Sequence, residues 1–142
     1  MLIKQLSVFV ENKKGRLSAI LNILRDNKID IRALSVADTR DFGILRLIVD
    51  DPEKAYEELH KAACLVNLTS VIAVGITDRP GGLADAMDCL SAEGISVEYM
   101  YAFISKTDDC ASVILRVPDK DNEKAVDVLS KDFKILSSNE II

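Results

Sequence analysis

The chain has 142 residues, of which 49% are hydrophobic, and its formal net charge is −5. This acidic balance, in a sequence without a basic tract, argues against nucleic acid and anionic membrane as partners. The apolar fraction suffices for a core, and the length allows one domain or two small ones.

The cysteines and the start of the chain bear on the cellular compartment. Cys64, Cys89 and Cys110 are odd in number and form no C-x-x-C pair, which is typical of a reduced intracellular protein. The first residues have the pattern of a strand rather than of a signal peptide, and no apolar run reaches membrane-spanning length. We therefore expect a cytoplasmic protein.

The first half of the chain predicts four strands and two helices. Alternating Leu6, Val8 and Val10 predict the first strand, and the i, i+3, i+4, i+7 stripe of Leu17, Ile20, Leu21 and Leu24 predicts the first helix. The elements that follow are a strand over Ile29–Ala33, a turn at 38–41, a strand near Gly43–Val49, a helix beginning at Asp51-Pro52 and a strand near Cys64–Leu68.

The second half repeats this pattern at a nearly constant offset. The matching elements are a strand at Ile72–Ile76, a helix with the stripe Leu83, Ala86, Met87 and Leu90 that ends at Gly94, a strand over Ile95–Tyr99, a turn at 105–109, a strand near Ala111–Val117, a helix after Asp121-Asn122 and a strand near Phe133–Leu136. The repeat indicates a duplicated unit of about 70 residues.

Each copy has the order βαββαβ, which is that of a ferredoxin-like unit. The predicted fold is therefore α+β, with two such units packed side by side, antiparallel sheets, and helices on one face of each sheet. We place the domains at 1–68 and 69–142, joined by the short segment 67–70. Such a short join predicts that the units do not tumble independently.

The loop between the first strand and the first helix is the best candidate for a binding site in each copy. The two loops read Asn12-Lys13-Lys14-Gly15-Arg16-Leu17 and Asp78-Arg79-Pro80-Gly81-Gly82-Leu83. Glycine permits close backbone approach, and the N–H groups at a helix N-terminus favour an anion such as a small carboxylate. An ordinary capped turn is the alternative interpretation of each loop.

A βαββαβ unit whose first loop reads D-x-P-G-x-L resembles the ACT domain, a regulatory module of amino-acid metabolism. The loop Asp78–Leu83 has this pattern in full, and the run Ala92–Val97 also matches, whereas the first copy has Lys14 in place of the proline. The resemblance covers the whole chain as two ACT units, and it implies a ligand between the units.

The resemblance also implies which residues hold an amino acid. The first loop of one unit would supply backbone amides and an Asn or Asp side chain, and the second strand of the other unit would supply a polar group. The implied ligand-binding residues are Asn12, Lys13, Lys14, Gly15, Arg16, Leu17, Asp30, Asp78, Arg79, Pro80, Gly81, Gly82, Leu83 and Ser96. The loop of Asn12 would pair with Ser96 and that of Asp78 with Asp30, so we expect unequal sites or a single occupied one.

We predict a regulatory protein that senses a free amino acid, without enzymatic activity, cofactor or metal. The alternative is a non-catalytic regulatory subunit that docks on an amino-acid biosynthetic enzyme, as the acetolactate synthase small subunit does. His60 and Cys64 have the i, i+4 spacing of metal ligands but lack a second such pair. Tyr99, Tyr101 and Phe103 alternate like an RNA-stacking platform, yet basic residues do not surround them.

Both faces of the predicted sheets carry apolar residues, although helices would cover only one face. Ile44 and Ile48 lie opposite the core side of their strand, and Ile114 does so in the second copy. A large exposed apolar patch is unusual for a monomer. We therefore predict a homodimer of C2 symmetry that buries the helix-free faces.

Overall fold

A computed structural model describes residues 2–38, 41–103 and 110–141 of the chain. Residues 4–69 form one compact unit, called here the first unit. Residues 70–141, together with residues 2 and 3, form the second unit. The α+β class predicted from the sequence is confirmed, whereas the exact domain boundaries at 1–68 and 69–142 stay a prediction.

The first unit has the predicted element order, and its strands pair in antiparallel fashion. Its elements are β1 (Ile3–Glu11), α1 (Arg16–Asp26), β2 (Ile31–Asp38), β3 (Phe42–Val49), α2 (Pro52–Lys61) and the start of β4 (Val66–Thr77). β3 lies between β1 and β2, so that Leu47 is opposite Leu6 on one side and Leu34 on the other. Leu24 of α1 and Leu59 of α2 pack with Leu6 and Leu47 in the core, so both helices cover one sheet face.

The second unit repeats this arrangement with its own core. Its elements are the rest of β4, α3 (Gly82–Ala92), β5 (Tyr99–Phe103), β6 (Cys110–Arg116), α4 (Asn122–Ser130), β7 (Lys134–Leu136) and α5 (Ser138–Ile141). β4 pairs antiparallel with β6 on one side and with β7 on the other, and β5 pairs with β6. Leu90 of α3 and Leu129 of α4 pack against Val74 and Leu115.

The two strands expected near Cys64–Leu68 and Ile72–Ile76 are one continuous strand, β4, of 12 residues. The join expected at 67–70 therefore lies within this strand. The stretch 66–74 contains neither Gly nor Pro, and Val, Thr and Ile recur along it. β-branched residues favour extended backbone, so nothing in this stretch interrupts the strand.

The strand expected over Ile95–Tyr99 begins only at Tyr99, so Ser96 lies outside the sheet. Tyr99 is opposite Arg116, the last residue of β6, and the Glu98 N–H donates to the Arg116 carbonyl at 2.8 Å. Pro118 follows β6 by two residues and has no N–H to donate. The partner strand therefore ends before it can pair with residues 95–97.

The predicted helix caps differ in outcome between the units. The Asp51 carboxylate accepts from the Lys54 N–H at 3.2 Å, and Pro52 begins α2, as predicted. Asp121 was expected to cap α4 in the same way, but within the described residues its carboxylate accepts no capping hydrogen bond from a backbone N–H of α4. A 3₁₀ turn over Asp119–Asp121 precedes α4 instead.

The apolar patch expected on the helix-free faces is smaller than the sequence suggested. Ile48 and Ile114 are 1% and 0% exposed within the single chain, and Ile44 is half-buried. The turn expected at 105–109 lies outside the described residues, as do residues 39 and 40 of the turn at 38–41.

Candidate functional site

The loop of the first unit turns tightly between β1 and α1. The Lys13 N–H donates to the Glu11 carbonyl at 2.7 Å, and the Arg16 N–H donates to the Lys13 carbonyl at 3.2 Å. Gly15, the N-cap of α1, has φ +84° and ψ −5°, a left-handed conformation that favours glycine. The Asn12 N–H donates to the Asp41 carbonyl at 3.2 Å and ties the loop to the residue before β3.

The loop of the second unit has the same backbone geometry. The Arg79 N–H donates to the Thr77 carbonyl at 2.9 Å, and the Gly82 N–H donates to the Arg79 carbonyl at 3.1 Å. Gly81, the N-cap of α3, has φ +85° and ψ −6°. The N–H groups of Arg16 and Gly82, the first helical residues, are thus already used within the loops. Because a glycine N-cap has no side-chain oxygen, it leaves the N–H groups of the next two helical residues to an anion.

The two loops differ in charge. In the first unit, Lys13 Nζ lies 3.0 Å and Arg16 Nη2 lies 3.9 Å from Glu11 Oε2, all on exposed side chains. The hydrogen bond from Lys13, the charge of Lys13 and that of Arg16 lower the pKa of Glu11, in that order of importance. Lys14 adds a further positive charge to the loop, and the first turn of α1 carries no acidic residue.

The positive charge of the second loop is neutralised within that loop. Arg79 Nη2 lies 2.6 Å from Asp85 Oδ2 in the first turn of α3, and Arg79 Nη1 donates to the Pro80 carbonyl at 3.2 Å. Asp78 adds a negative charge beside this pair. The first loop is therefore the more favourable one for an anion, and the second is the more favourable one for an ammonium group.

Gly82 lies against the protein's own backbone at the end of β4. A Cβ atom at this position would lie 2.5 Å from the Thr77 carbonyl oxygen and 3.1 Å from Ile76 Cγ2. The matching residue of the first unit is Arg16, which has a Cβ atom. Leu17 and Leu83, the next residues, are 38% and 39% exposed, so the first residue of each helical stripe lies outside the core.

Asp30 and Ser96, the other predicted ligand contacts, both precede a strand. The Asp30 N–H donates to Asp50 Oδ1 at 3.0 Å, and Asp30 Oδ2 accepts from Arg32 Nη1 at 2.9 Å. The Asp30 carboxylate therefore already has a cationic partner, which the sequence analysis did not anticipate. Ser96 is exposed in the segment before β5. The ligand-binding role of both residues and of the two loops stays a prediction.

The sequence analysis did not predict a cavity of about 240 Å³ in the first unit, called here the α1 cavity. It lies between the first two turns of α1, the C-terminal end of β1, the N-terminal end of β3 and the connection from α2 to β4. Its lining residues are Phe9, Val10, Glu11, Arg16, Ala19, Ile20, Ile23, Phe42, Ala62, Ala63, Cys64 and Leu65. Among these residues Arg16 alone belongs to the predicted site. The lining comes from four separate segments of the chain, which the fold brings together.

The residues considered for metal binding do not form a site in the described part of the chain. No group of three or more His, Cys, Asp or Glu side chains is arranged there to hold a metal ion. His60 stacks on Tyr56 with ring centroids 5.8 Å apart. Cys64 lies beyond the end of α2 at Lys61, so the i, i+4 spacing does not place it on the helix face of His60.

Within the described ranges, every helix is too short or too polar to cross a bilayer.

The sequence of the chain matches one known protein family. The sequence model of one family, the ACT domain pair, matches residues 1–141. The chain belongs to the ACT domain pair family. The family resemblance inferred from the two loops is thereby confirmed, and so are the tandem ferredoxin-like fold and the regulatory character of the domains.

Solved structures resemble this ACT domain pair over nearly its whole length. The crystal structure of protein BT0572 from Bacteroides thetaiotaomicron has 40% identity and a TM-score of 0.90, over 99% of this chain and 96% of that one. The ligand-free regulatory subunit of aspartate kinase from Thermus thermophilus has 14% identity and a TM-score of 0.65, over 92% and 93% of the two chains. A putative C-terminal regulatory domain of aspartate kinase from Porphyromonas gingivalis has 16% identity and a TM-score of 0.52, over 100% and 95%.

None of the curated proteins compared with this chain matches it. The two aspartate kinase structures, at their low identity, are evidence of a shared fold alone.

Proposed function

We propose that this protein is a regulatory protein that senses a free amino acid at the interface between two ACT units. The observation that carries the proposal is the pair of glycine-capped loops at Gly15 and Gly81, which have the same backbone geometry in a member of the ACT domain pair family. In each loop the N–H groups of the second and third helical residues would donate to a carboxylate.

The chemistry of a zwitterion suits the two loops and the two strand-preceding residues. The carboxylate of the ligand needs N–H donors, and its ammonium group needs carboxylate or amide oxygens. We propose that the loops donate to the carboxylate and that Asp30, Asp78 or Asn12 accepts from the ammonium group. Ser96 would complete the pair formed with the Asn12 loop. The charge difference between the loops supports unequal affinities for two sites, or a single site.

The proposed mechanism is linkage between binding and the arrangement of the units. A ligand that prefers one arrangement shifts the population toward it by its differential affinity. In this proposal the protein has no catalytic activity, cofactor or resident metal and acts in the cytoplasm. The single histidine of the sequence, His60, is engaged with Tyr56 on α2, which suits this non-catalytic role.

A thermal-shift screen with each standard amino acid at millimolar concentration tests the proposal. Binding to the native state raises the unfolding temperature by mass action, so one amino acid or one chemical class should stabilise the chain. The matched control is the corresponding amino-acid amide, which keeps the ammonium group but lacks the carboxylate. Absence of stabilisation by every amino acid would overturn the proposal.

A second candidate is a regulatory subunit whose main role is to dock on an amino-acid biosynthetic enzyme. A structural neighbour of almost the same length is described as the regulatory subunit of aspartate kinase, which favours this candidate. In this second candidate role the chain would act as the small subunit of acetolactate synthase does, by docking on a catalytic subunit. Copurification of a biosynthetic enzyme with the tagged chain, without stabilisation by any amino acid, would favour docking over sensing.

A further inference from the structure

We propose that the amino acid sensed by this protein has an apolar side chain, which enters the α1 cavity beneath Arg16. This inference rests on the proposed function and names the ligand class of its first loop. It is carried by the shape of the cavity, by the two charges at its edge, and by a comparison with the second unit.

The walls of the α1 cavity are mostly hydrocarbon. Ile20 and Ile23 of α1 and Val10 of β1 contribute aliphatic side chains. Phe9 and Phe42, which are 45% and 50% exposed, also line it and offer aromatic surface. Solvent-exposed aromatic residues gathered at a cavity mark a site where apolar surface is to be covered.

The size of the α1 cavity suits a branched or aromatic side chain. Its volume is about 240 Å³. Gaps between well-packed side chains rarely exceed the size of a water molecule, and an apolar cavity of about 150 Å³ already binds benzene. Cys64 adds a thiol to the wall, and burial raises the pKa of this thiol.

Two opposite charges also line the α1 cavity, and they match the two charges of a zwitterion. Arg16 can donate to a carboxylate through its guanidinium group, and Glu11 can accept from an ammonium group. Their own contact is loose, since Arg16 Nη2 lies 3.9 Å from Glu11 Oε2 and both side chains are about half exposed. A ligand placed there would replace this weak ion pair with a charge-assisted hydrogen bond from Arg16. Its ammonium group would share Glu11 with Lys13, whose Nζ lies 3.0 Å from Glu11 Oε2.

The second unit shows that this lining is not a consequence of the fold. By the repeat offset, Gly75 stands where the first unit has Phe9, Gly82 where it has Arg16, and Asp85 where it has Ala19. The second unit therefore lacks the aromatic wall and the arginine at the matching positions, and it places a carboxylate among them. The α1 cavity is thus a property of the first unit's own side chains.

The residue after the second helix of each unit gives the clearest contrast. The Cys64 N–H donates to the Leu59 carbonyl at 3.0 Å, and the Phe133 N–H donates to the Leu129 carbonyl at 2.8 Å. The two hydrogen bonds differ in span, since Cys64 reaches back five residues and Phe133 only four, so the two helices end differently. Each residue nevertheless packs against the core of its own unit. Cys64→Phe would place an aromatic ring in the α1 cavity, which Cys64 lines, and circular dichroism checks directly whether this variant folds.

The inference is tested by calorimetric titration of the intact chain with leucine, isoleucine, methionine and phenylalanine, and with serine, lysine and aspartate as polar probes. We expect binding by one or more of the apolar set. Cys64→Phe should abolish it by filling the cavity, and Arg16→Gln should weaken it about tenfold or more, because a charge-assisted hydrogen bond is lost. Arg25→Gln, at an exposed arginine near the end of α1, is the matched control and should bind like the parent chain.

The outcomes separate this inference from the proposed function. If a polar or charged amino acid binds and the apolar ones do not, the inference is overturned while the proposed function stands. The same holds if an apolar amino acid binds Cys64→Phe, folded as judged by circular dichroism, with unchanged affinity. If no amino acid of any class binds, the proposed function fails, and the ligand class fails with it.

Discussion

Lys28 and Gly94 occupy the same left-handed backbone position, with φ of +58° and +70°, two residues after the last residue of α1 and of α3. The residue after each of them closes its helix in the same way. The Ile29 N–H donates to the Leu24 carbonyl at 2.9 Å, and the Ile95 N–H donates to the Leu90 carbonyl at 3.0 Å. The duplicated helix end therefore has glycine in one copy and a strained lysine in the other.

Lys28→Gly should stabilise the protein. Relief of the left-handed strain exceeds the entropy that glycine adds to the unfolded chain, so we expect a gain of about 0.5–1 kcal/mol in the free energy of unfolding. Urea denaturation followed by circular dichroism measures it. Asn27→Gly, one residue earlier at φ −96°, is the control and should destabilise, because the Asn27 Nδ2 bond to the Ile23 carbonyl at 2.8 Å is lost. Equal changes in the free energy of unfolding in the two variants would contradict the prediction that Lys28 is strained.

Gly82→Ala should destabilise the second unit. The new Cβ atom would lie 2.5 Å from the Thr77 carbonyl oxygen, which belongs to the backbone of β4 and cannot move without disturbing the strand. We expect a loss of about 1–3 kcal/mol, as for other overpacked sites. Arg16→Ala at the matching position of the first unit should change the stability by less than about 0.5 kcal/mol. A Gly82→Ala protein with the melting temperature of the parent would contradict this prediction, because it would show that the loop can move away from the Thr77 carbonyl at little cost.

Asp119 should contribute to stability in a pH-dependent way. Its carboxylate accepts from Arg116 Nη1 at 2.8 Å, and this hydrogen bond, followed by the charge of Arg116, lowers the pKa of Asp119. A carboxylate whose pKa is lower in the folded state stabilises the fold above its unfolded pKa of about 3.9, and loses that effect as the pH falls through the folded value.

We therefore expect Asp119→Asn to be less stable than the parent at pH 7, with the difference closing as the pH falls below about 4. Urea unfolding at a series of pH values measures this difference. Asp88→Asn, at an exposed aspartate on α3, is the control. If the difference in unfolding free energy between Asp119→Asn and the parent stayed constant from pH 7 to pH 3, the effect would not be ionic in origin.

A homodimer remains our prediction, but the surface that supports it has changed. Ile48 and Ile114, on the faces expected to pair, are already buried in the single chain. Leu34 and Val36 are instead 49% and 48% exposed on β2, which ends the order of paired strands in the first unit. Exposed apolar residues on an edge strand favour pairing with a second copy.

Light scattering at tens of micromolar protein should therefore give the mass of a dimer. Leu34→Lys combined with Val36→Lys should shift the mass to that of a monomer, because charge on an edge strand opposes pairing. Leu68→Lys, at an exposed apolar residue outside β2, should leave the mass unchanged. A monomer at this concentration, both with and without amino acids, would contradict the prediction.

The sequence predicted the repeated elements well because the repeat doubles each signal. The stripe of α1 and that of α3 support one another, and so do the glycines at 15 and 81. Strand boundaries were less predictable, since they depend on the partner strand. β5 begins at Tyr99 because β6 ends at Arg116, whereas the alternating pattern of side chains begins earlier, at Ile95.

The candidate site was predictable only where it is local in sequence. The turn at each loop depends on a few adjacent residues, so the glycine pattern indicated it. The α1 cavity depends on Phe9, Ile23, Phe42 and Leu65, which are far apart along the chain. Its existence follows from how much space their side chains leave after packing, and no short motif encodes that space.

The loop itself is best tested without substitution at its glycine. Gly81 has φ +85°, so Gly81→Val would strain the backbone whether or not a ligand binds there. Asp78→Ala and Asp30→Ala avoid this problem, because both residues have exposed side chains. If either carboxylate accepts from the ligand's ammonium group, its removal should weaken binding by about 1–3 kcal/mol.

The central claim is that this ACT domain pair binds a free amino acid through these loops, and calorimetric titration of the intact chain tests it most directly. The account predicts saturable binding of one amino acid with a dissociation constant at or below the millimolar range, weakened in Asp78→Ala, in Asp30→Ala or in Arg16→Gln. Absence of binding heat for every standard amino acid, or an affinity unchanged in all three variants, would contradict it.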